Sequence, residues 1–298
     1  MLAFISYPPI PIWQLGPLRF SLHGVFAAVG FVAGAWLATR QMRRAGLDAV
    51  AYQSALTWGL VGALLGARYL TTPAALLSGV PLLEALNPIS GNFSIMGGFA
   101  GGILGGWIRM RQVGLPVLPT LDASAFGLAL GTVVGRWGDL AIVEHLGRAT
   151  TVPWGYGIRP GYDVAPQHDM LECTAARALP NGLCPVPNVG AMAGSVPPGS
   201  PGIYHHVAVY DMLGAAVLLG VLFLLVRRVA MRPGQLFFLW MAWYGLQRSA
   251  LDSLRFGMGD ATIGPFTWNQ VSGFTAGVAG VIILVWLGRR AREPAGAG

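Results

Sequence analysis

Seven stretches of this chain, at roughly residues 20–39, 50–71, 92–109, 121–143, 206–226, 234–256 and 266–288, are apolar for about the length that crosses a bilayer. That feature excludes nearly every water-soluble architecture. A helix of some twenty apolar residues closes its own backbone hydrogen bonds in hydrocarbon, which an open strand cannot do. Composition agrees: 54% of the 298 residues are hydrophobic and only 10% charged, with a mean hydropathy of +0.58. A soluble chain carries about a quarter charged residues. The expectation is therefore an all-α integral membrane protein of about seven transmembrane helices, forming one membrane domain over residues 1–298.

All nineteen basic residues are arginine, and the net charge is +7. A basic chain can bind nucleic acid, but these arginines fall in short clusters between apolar runs, which is the pattern of topology signals. "RQMRRAG" (40–46), "RMRQ" (109–112), "RRVAMRPG" (227–234) and "RRARE" (289–293) follow the first, third, fifth and seventh stretches and hold eleven arginines. The opposite connectors hold Arg148, Arg159 and Arg177, with Arg19 near the N-terminus. The positive-inside rule then places the N-terminus outside and the C-terminus in the cytoplasm. The first twenty residues show no basic segment leading into a cleavable apolar one, so no signal peptide is expected. Residues 145–205, rich in Pro and Gly, are too polar to span and read as an external head. Both cysteines, Cys173 and Cys184, lie there on the oxidising face, where a local disulfide is expected. No metal site is expected in that loop, which offers few further ligands.

Charges inside the apolar stretches point to chemistry, because each costs a few kcal/mol to bury. "GRWGD" (135–139) puts Arg136 and Asp139 in the fourth stretch. In the sixth, Tyr244, Arg248 and Asp252 stand at i, i+4 and i+8, with Arg255 three residues on, all on one helical face. Arg248 can pair with Asp252, which leaves Arg255 without a partner on its own helix. With Arg68 of "LLGARYL" and Arg148, arginines at or within the membrane outnumber the acids expected to neutralise them. Surplus guanidinium groups suit a phosphate, and the anion most available there is a lipid headgroup. The third stretch, "FSIMGGFAGGILGGWIRM", sets Gly97, Gly101 and Gly105 on one stripe and Gly98, Gly102 and Gly106 on the next. Such spacing admits a second helix, or a lipid, close to the backbone.

The order of these features resembles the bacterial prolipoprotein diacylglyceryl transferases. "GRWGDLAIVEHLGR" is similar to that family's G-R-x-G-N-F-x-N-x-E-x-x-G-R through Gly135, Arg136, Gly138, Glu144, Gly147 and Arg148, with Asp139 and Ile142 at the two Asn positions. "WYGLQRSALDSLR" resembles Y-G-x-x-R-x-x-x-E-x-x-R through Tyr244, Gly245, Arg248, Asp252 (for Glu) and Arg255. "GARY" (66–69) resembles G-x-R-x-x-Y, and "HHVAVYD" resembles H-P-S-Q-L-Y-E through His205, Tyr210 and Asp211. Gln270 and Ser272 resemble the final G-Q-x-x-S. Two departures stand out. Met96 occupies the place of the family's F-H-G-G histidine, proposed there as the thiol-activating base, and His23 occupies the place of a tyrosine in the first stretch.

The resemblance implies transfer of the sn-1,2-diacylglyceryl group from phosphatidylglycerol to the lipobox cysteine of a preprolipoprotein in the bacterial cytoplasmic (inner) membrane. A thioether forms, glycerol 1-phosphate leaves, and no cofactor is required. It implies catalytic roles for Arg136 and Arg248 in gripping the phosphate. His23, Asp139 and Glu144 are the candidates for proton transfer, although for Asp139 an ion pair with Arg136 is the favoured reading. Arg68, Gly97, Gly98, Gly147, Arg148, His205, Tyr210, Tyr244, Asp252 and Arg255 are the candidate substrate-binding residues. Two other classes remain open: a non-catalytic relative that binds anionic lipid, which the loss of the span-three histidine favours, and a transporter or channel for an anion, against which the chain shows no internal repeat.

Overall fold

The computed structural model describes residues 5–16, 18–70, 72–77, 79–87, 95–162, 164, 173–188, 196–255 and 262–289. The start of the third apolar stretch and parts of the 145–205 segment lie outside those residues. Five described helices are long and apolar enough to cross a membrane: α1 (Leu22–Arg44), α2 (Ala49–Tyr69), α6 (Val117–Ile142), α7 (Val207–Arg228) and α9 (Trp268–Arg289). At the positions of the third and sixth stretches stand two helices of 18 residues, α5 (Ile95–Gln112) and α8 (Gln235–Asp252). Two short helices, α3 (Thr72–Leu77) and α4 (Leu82–Leu86), lie in the connector between α2 and α5.

The arginine clusters end helices in the same way twice. After α1 and after α5 the chain turns at Gly46 and Gly114, whose φ values are 69° and 70°. Each turn closes a bond back to the helix, Leu47 N–H to Met42 C=O at 3.0 Å and Leu115 N–H to Met110 C=O at 3.0 Å. Glycine adopts that left-handed backbone without a Cβ penalty. Asp48 then starts α2, its side chain accepting from the Val50 and Ala51 amides.

The helices divide into two compact units, Ala35–Ser124 and Met1–Gly34 with Ala125–Gly298. Within the first, α2 and α5 meet backbone to backbone. A Cβ at Gly97 would lie 2.1 Å from Gly66 O, and one at Gly101 would lie 2.1 Å from Gly62 O. The glycine stripe of the third stretch is thus a helix-packing seam, and Gly97 has no room left for a lipid.

Within the second unit, α1 and α6 are joined by a similar seam. A Cβ at Gly34 would lie 2.5 Å from Gly127 O, and one at Gly30 would lie 2.7 Å from Gly131 O. Helices α8 and α9 meet at Gly245, whose Cβ would fall 2.6 Å from Gly273 O. Between α6 and α7, strands β1 (Leu146–Ala149), β2 (Tyr156–Gly157) and β3 (Ile203–His206) form an antiparallel sheet in the order β1-β3-β2. Ile5 pairs with the edge of that sheet, its amide donating to Gly155 O at 2.9 Å. The 145–205 segment has its own apolar core, with Leu146, Tyr156, Ile158, Val186 and Tyr204 nearly inaccessible to solvent. A disulfide joins Cys173 to Cys184 at its margin.

Candidate active site

The polar centre of the larger unit lies where the N-terminal end of α1 meets the C-terminal end of α6. Gly138 lets them meet: a Cβ there would lie 2.7 Å from His23 Cα and 3.0 Å from Leu22 O. The contact sets His23 Nδ1 2.6 Å from Asp139 Oδ1. Asp139, 1% exposed, gives its other oxygen to Arg136, one helical turn back. Arg136 then reaches α7, where its Nη2 lies 2.6 Å from Asp211 Oδ2. Gln247 of α8 completes the chain by donating to Asp211 Oδ1 at 2.8 Å and accepting from Trp243 Nε1 at 2.9 Å. One guanidinium therefore carries two buried carboxylates from two helices, so it is held rigidly and its desolvation is compensated.

The turn after α6 brings a second layer. Val143 and His145 both have positive φ, 53° and 64°, which is strained backbone for a β-branched residue and uncommon for histidine. Between them, the Glu144 amide donates to Asp139 O at 2.9 Å, and its carboxylate comes within 3.5 Å of His23 Nδ1. Burial raises the Glu144 carboxyl above its ordinary range, while His23, Arg136 and Arg255 oppose that rise. His145 is pushed down to about 4, first by burial, with Asp139 opposing and the guanidinium groups of Arg255, Arg136 and Arg248 adding to the fall. His145 thus lies within the fields of all three arginines, which locates them in one cluster.

The pairing within α8 differs from the expected one. Arg255, not Arg248, takes Asp252, with Nη1 at 3.2 Å from Oδ1. The Thr267 hydroxyl donates to the other oxygen of Asp252. Arg248 is left half-buried with no hydrogen bond or ion pair among the described residues. Asp211 and Glu144 also enter the cluster: Arg136 and Arg255 are paired with acids, while neither Arg248 nor the exposed Arg148 has an ion pair among the described residues.

Several expected substrate contacts are occupied within the protein. Arg68, 6% exposed in the smaller unit, donates through Nε to Asn87 O and through Nη2 to Ala85 O, where it caps α4. Gly147 is needed for close packing, since its Cβ would lie 2.5 Å from Leu254 O, and the next amide, Arg148 N–H, donates to that oxygen. The Arg148 side chain itself is exposed. Gly98 faces Ala67 and Ala63. His205 Nδ1 lies 3.0 Å from the Tyr210 hydroxyl, which accepts from Trp154 Nε1. Tyr244 stacks flat on Trp240 with centroids 5.5 Å apart. His206 is buried against Tyr7, 3.1 Å away, and burial pushes it down to about 4.

His23, Asp139 and Glu144 bring one donor atom each within 4.8 Å of one another. The Arg136 charge already bound to Asp139 disfavours a dication there, and the group is better suited to handling a proton. Asp211 and Gln247 are the site residues that sequence reasoning did not assign. An acid with no basic residue beside it on its own apolar helix was the available signal for Asp211.

A family model described as prolipoprotein diacylglyceryl transferase matches residues 11–286. The chain belongs to that family. Among its relatives, a phosphatidylglycerol–prolipoprotein diacylglyceryl transferase of Frankia casuarinae is 25% identical over 89% of this chain and 58% of its own length. One of Frankia alni is 26% identical over 98% of the chain and 69% of its own length. One of Mycobacterium tuberculosis is 28% identical over 99% of the chain and 60% of its own length. The chain therefore spans about three-fifths of the length of most of these relatives. His23 and Asp139, each of which departs from the motif residue expected at its position, are in direct contact with each other.

Proposed function

We propose that this protein transfers the sn-1,2-diacylglyceryl group of phosphatidylglycerol to the cysteine thiol of a lipobox-containing preprolipoprotein. In the proposed topology α5 and α8 also span, giving seven crossings of the bacterial inner membrane, with the N-terminus and the disulfide-bearing head outside and the C-terminus inside. A thiolate sulfur attacks the sp³ glycerol carbon that carries the phosphate. The C–S bond forms as the C–O bond breaks, and glycerol 1-phosphate takes the electron pair. No cofactor is needed for that displacement.

The observation that carries this reading is Arg248, a half-buried guanidinium with no protein acid, in the same cluster as Arg136. Such a group is matched by a phosphodiester, and it becomes more valuable as the departing phosphate gains charge. Arg136 uses two of its five N–H donors on carboxylates and has others for the same anion. Arg255 is paired with Asp252 and reinforces the field.

The test is transfer to a lipobox peptide, read by mass, in proteoliposomes containing phosphatidylglycerol. The wild-type protein should add one diacylglyceryl group, and Arg248→Gln should remove at least 100-fold of that rate, the typical worth of a charge-stabilising donor at about 10²–10³. Full rates in Arg248→Gln would refute the role given to this arginine. Phosphatidylglycerol binding without any product would favour a non-catalytic lipid-binding relative.

A further inference from the structure

His23 differs from every other described histidine of the chain. His145 and His206 are buried and pushed down to about 4, which makes them poor proton acceptors at neutral pH. His205 has its Nδ1 on Tyr210, beside the head sheet. The His23 side chain is 46% exposed, and its only polar contacts among the described residues run through Nδ1, to Asp139 Oδ1 at 2.6 Å and Glu144 Oε2 at 3.5 Å. Nε2 has no protein partner among the described residues. The charged groups that face the ring are Asp139 and Arg136 from α6 and Glu144 from the turn after it.

We propose that His23 is the base that takes the substrate thiol's proton, with Asp139 as its positioning residue. This rests on the transfer reading above. An imidazole whose Nδ1–H is held by a buried carboxylate has its free Nε2 fixed as the acceptor, and the carboxylate stabilises the imidazolium that forms. The thiol proton passes to Nε2 and the thiolate attacks the glycerol carbon. Glycerol 1-phosphate departs, and the imidazolium then releases its proton to water. Arg136 supports the arrangement by neutralising the second oxygen of Asp139, so the carboxylate stays ionised and oriented. Gly138 supports it sterically, because the 2.7 Å approach to His23 Cα leaves no space for a side chain. Phosphate recognition and thiol activation then share one carboxylate, with Arg136 on one oxygen and His23 on the other.

The experiment compares His23→Gln with wild type and Arg248→Gln in the proteoliposome assay between pH 6 and 9, using paired lipobox peptides that carry cysteine or selenocysteine. A selenol ionises at neutral pH without a base. With the cysteine peptide, His23→Gln should lose roughly 10²- to 10⁴-fold at pH 7. It should recover about tenfold per pH unit until the thiol ionises unaided near 8.5. The selenocysteine peptide should restore it to near the wild-type rate, whereas Arg248→Gln should stay low with both peptides. Equal losses for both peptides at every pH, or a full rate with cysteine at pH 7, would overturn the proposal. Should His23→Gln fail to fold, the wild-type protein still decides: its rate with cysteine must fall toward acid while its rate with selenocysteine does not, and a parallel fall overturns the role. A wild-type protein that transfers nothing overturns the transfer reading itself, which is a different result.

Discussion

Replacing Gly138 by alanine tests whether the close approach of α1 and α6 builds the site. The added Cβ would sit 2.7 Å from His23 Cα and 3.0 Å from Leu22 O, both backbone atoms of the neighbouring helix. Carbon pairs rest at about 3.5–4.0 Å, so the two helix ends must separate by about 1 Å. Overpacking of this kind costs roughly 1–3 kcal/mol, partly offset by about 1 kcal/mol of helix propensity gained on leaving glycine. The functional loss should be larger than the stability loss, because a displacement of about 1 Å between reacting groups can cost about 100-fold in rate. Gly135, three residues earlier on the same helix, is the internal control: a Cβ there meets nothing within 4 Å. Gly135→Ala should therefore be neutral or stabilised by up to about 1 kcal/mol and keep its transfer rate. The assays are thermal unfolding in detergent and transfer to a lipobox peptide. Equal stability and equal activity for Gly138→Ala and wild type would refute the claim that this contact positions His23.

Acid should destabilise the protein between pH 6.5 and 4. His145 and His206 bind protons in the unfolded chain near 6.5 but in the fold only near 4, so stability is complete above 6.5 and falls by about 3 kcal/mol per group as pH drops to 4. Glu144, whose carboxyl is raised by burial, acts with the opposite sign, and His206→Gln should flatten the unfolding-versus-pH curve in that window. Reducing the Cys173–Cys184 bridge opens a loop with a sequence separation of 11 and should cost about 3 kcal/mol, read as a lower melting temperature with reductant. Asp211→Ala leaves Arg136 with one carboxylate and Gln247 Nε2 with the main-chain oxygen of position 211, 3.2 Å away, in place of the carboxylate. A loss of about 3–5 kcal/mol is expected in detergent unfolding, and an unchanged midpoint would show that the pair contributes nothing.

The five apolar helices were legible because hydropathy averages over a whole turn-rich window and tolerates errors of a few residues at the ends. Arg136 and Asp139 were legible as a pair because they lie three apart on one helix. The pairing around Asp252 was misread for an equally local reason. Helix α8 ends at Asp252, and the next residues tighten, with Ser253, Leu254 and Arg255 amides bonding three residues back. That tightening returns Arg255 to Asp252, while ideal helical spacing favours Arg248. Asp211 was seen as a motif residue but not as the partner of Arg136, because its contact joins positions 75 apart in sequence and no periodicity encodes it. The α1–α6 seam was readable in principle: Gly30 and Gly34, like Gly127 and Gly131, repeat at the four-residue spacing recognised in the third stretch.

The cluster sets three guanidinium groups (Arg136, Arg248 and Arg255) among four carboxylates (Asp139, Glu144, Asp211 and Asp252), which bears on how an anion is drawn to it. A cluster with little overall charge casts little field beyond a Debye length, so under the proposed function it would gather phospholipid headgroups poorly from afar and select them only on contact, at Arg248. Turnover should then depend weakly on ionic strength and on the bulk proportion of other acidic lipids. Discrimination would rest instead on whether a phosphodiester oxygen can reach a single unshielded fork.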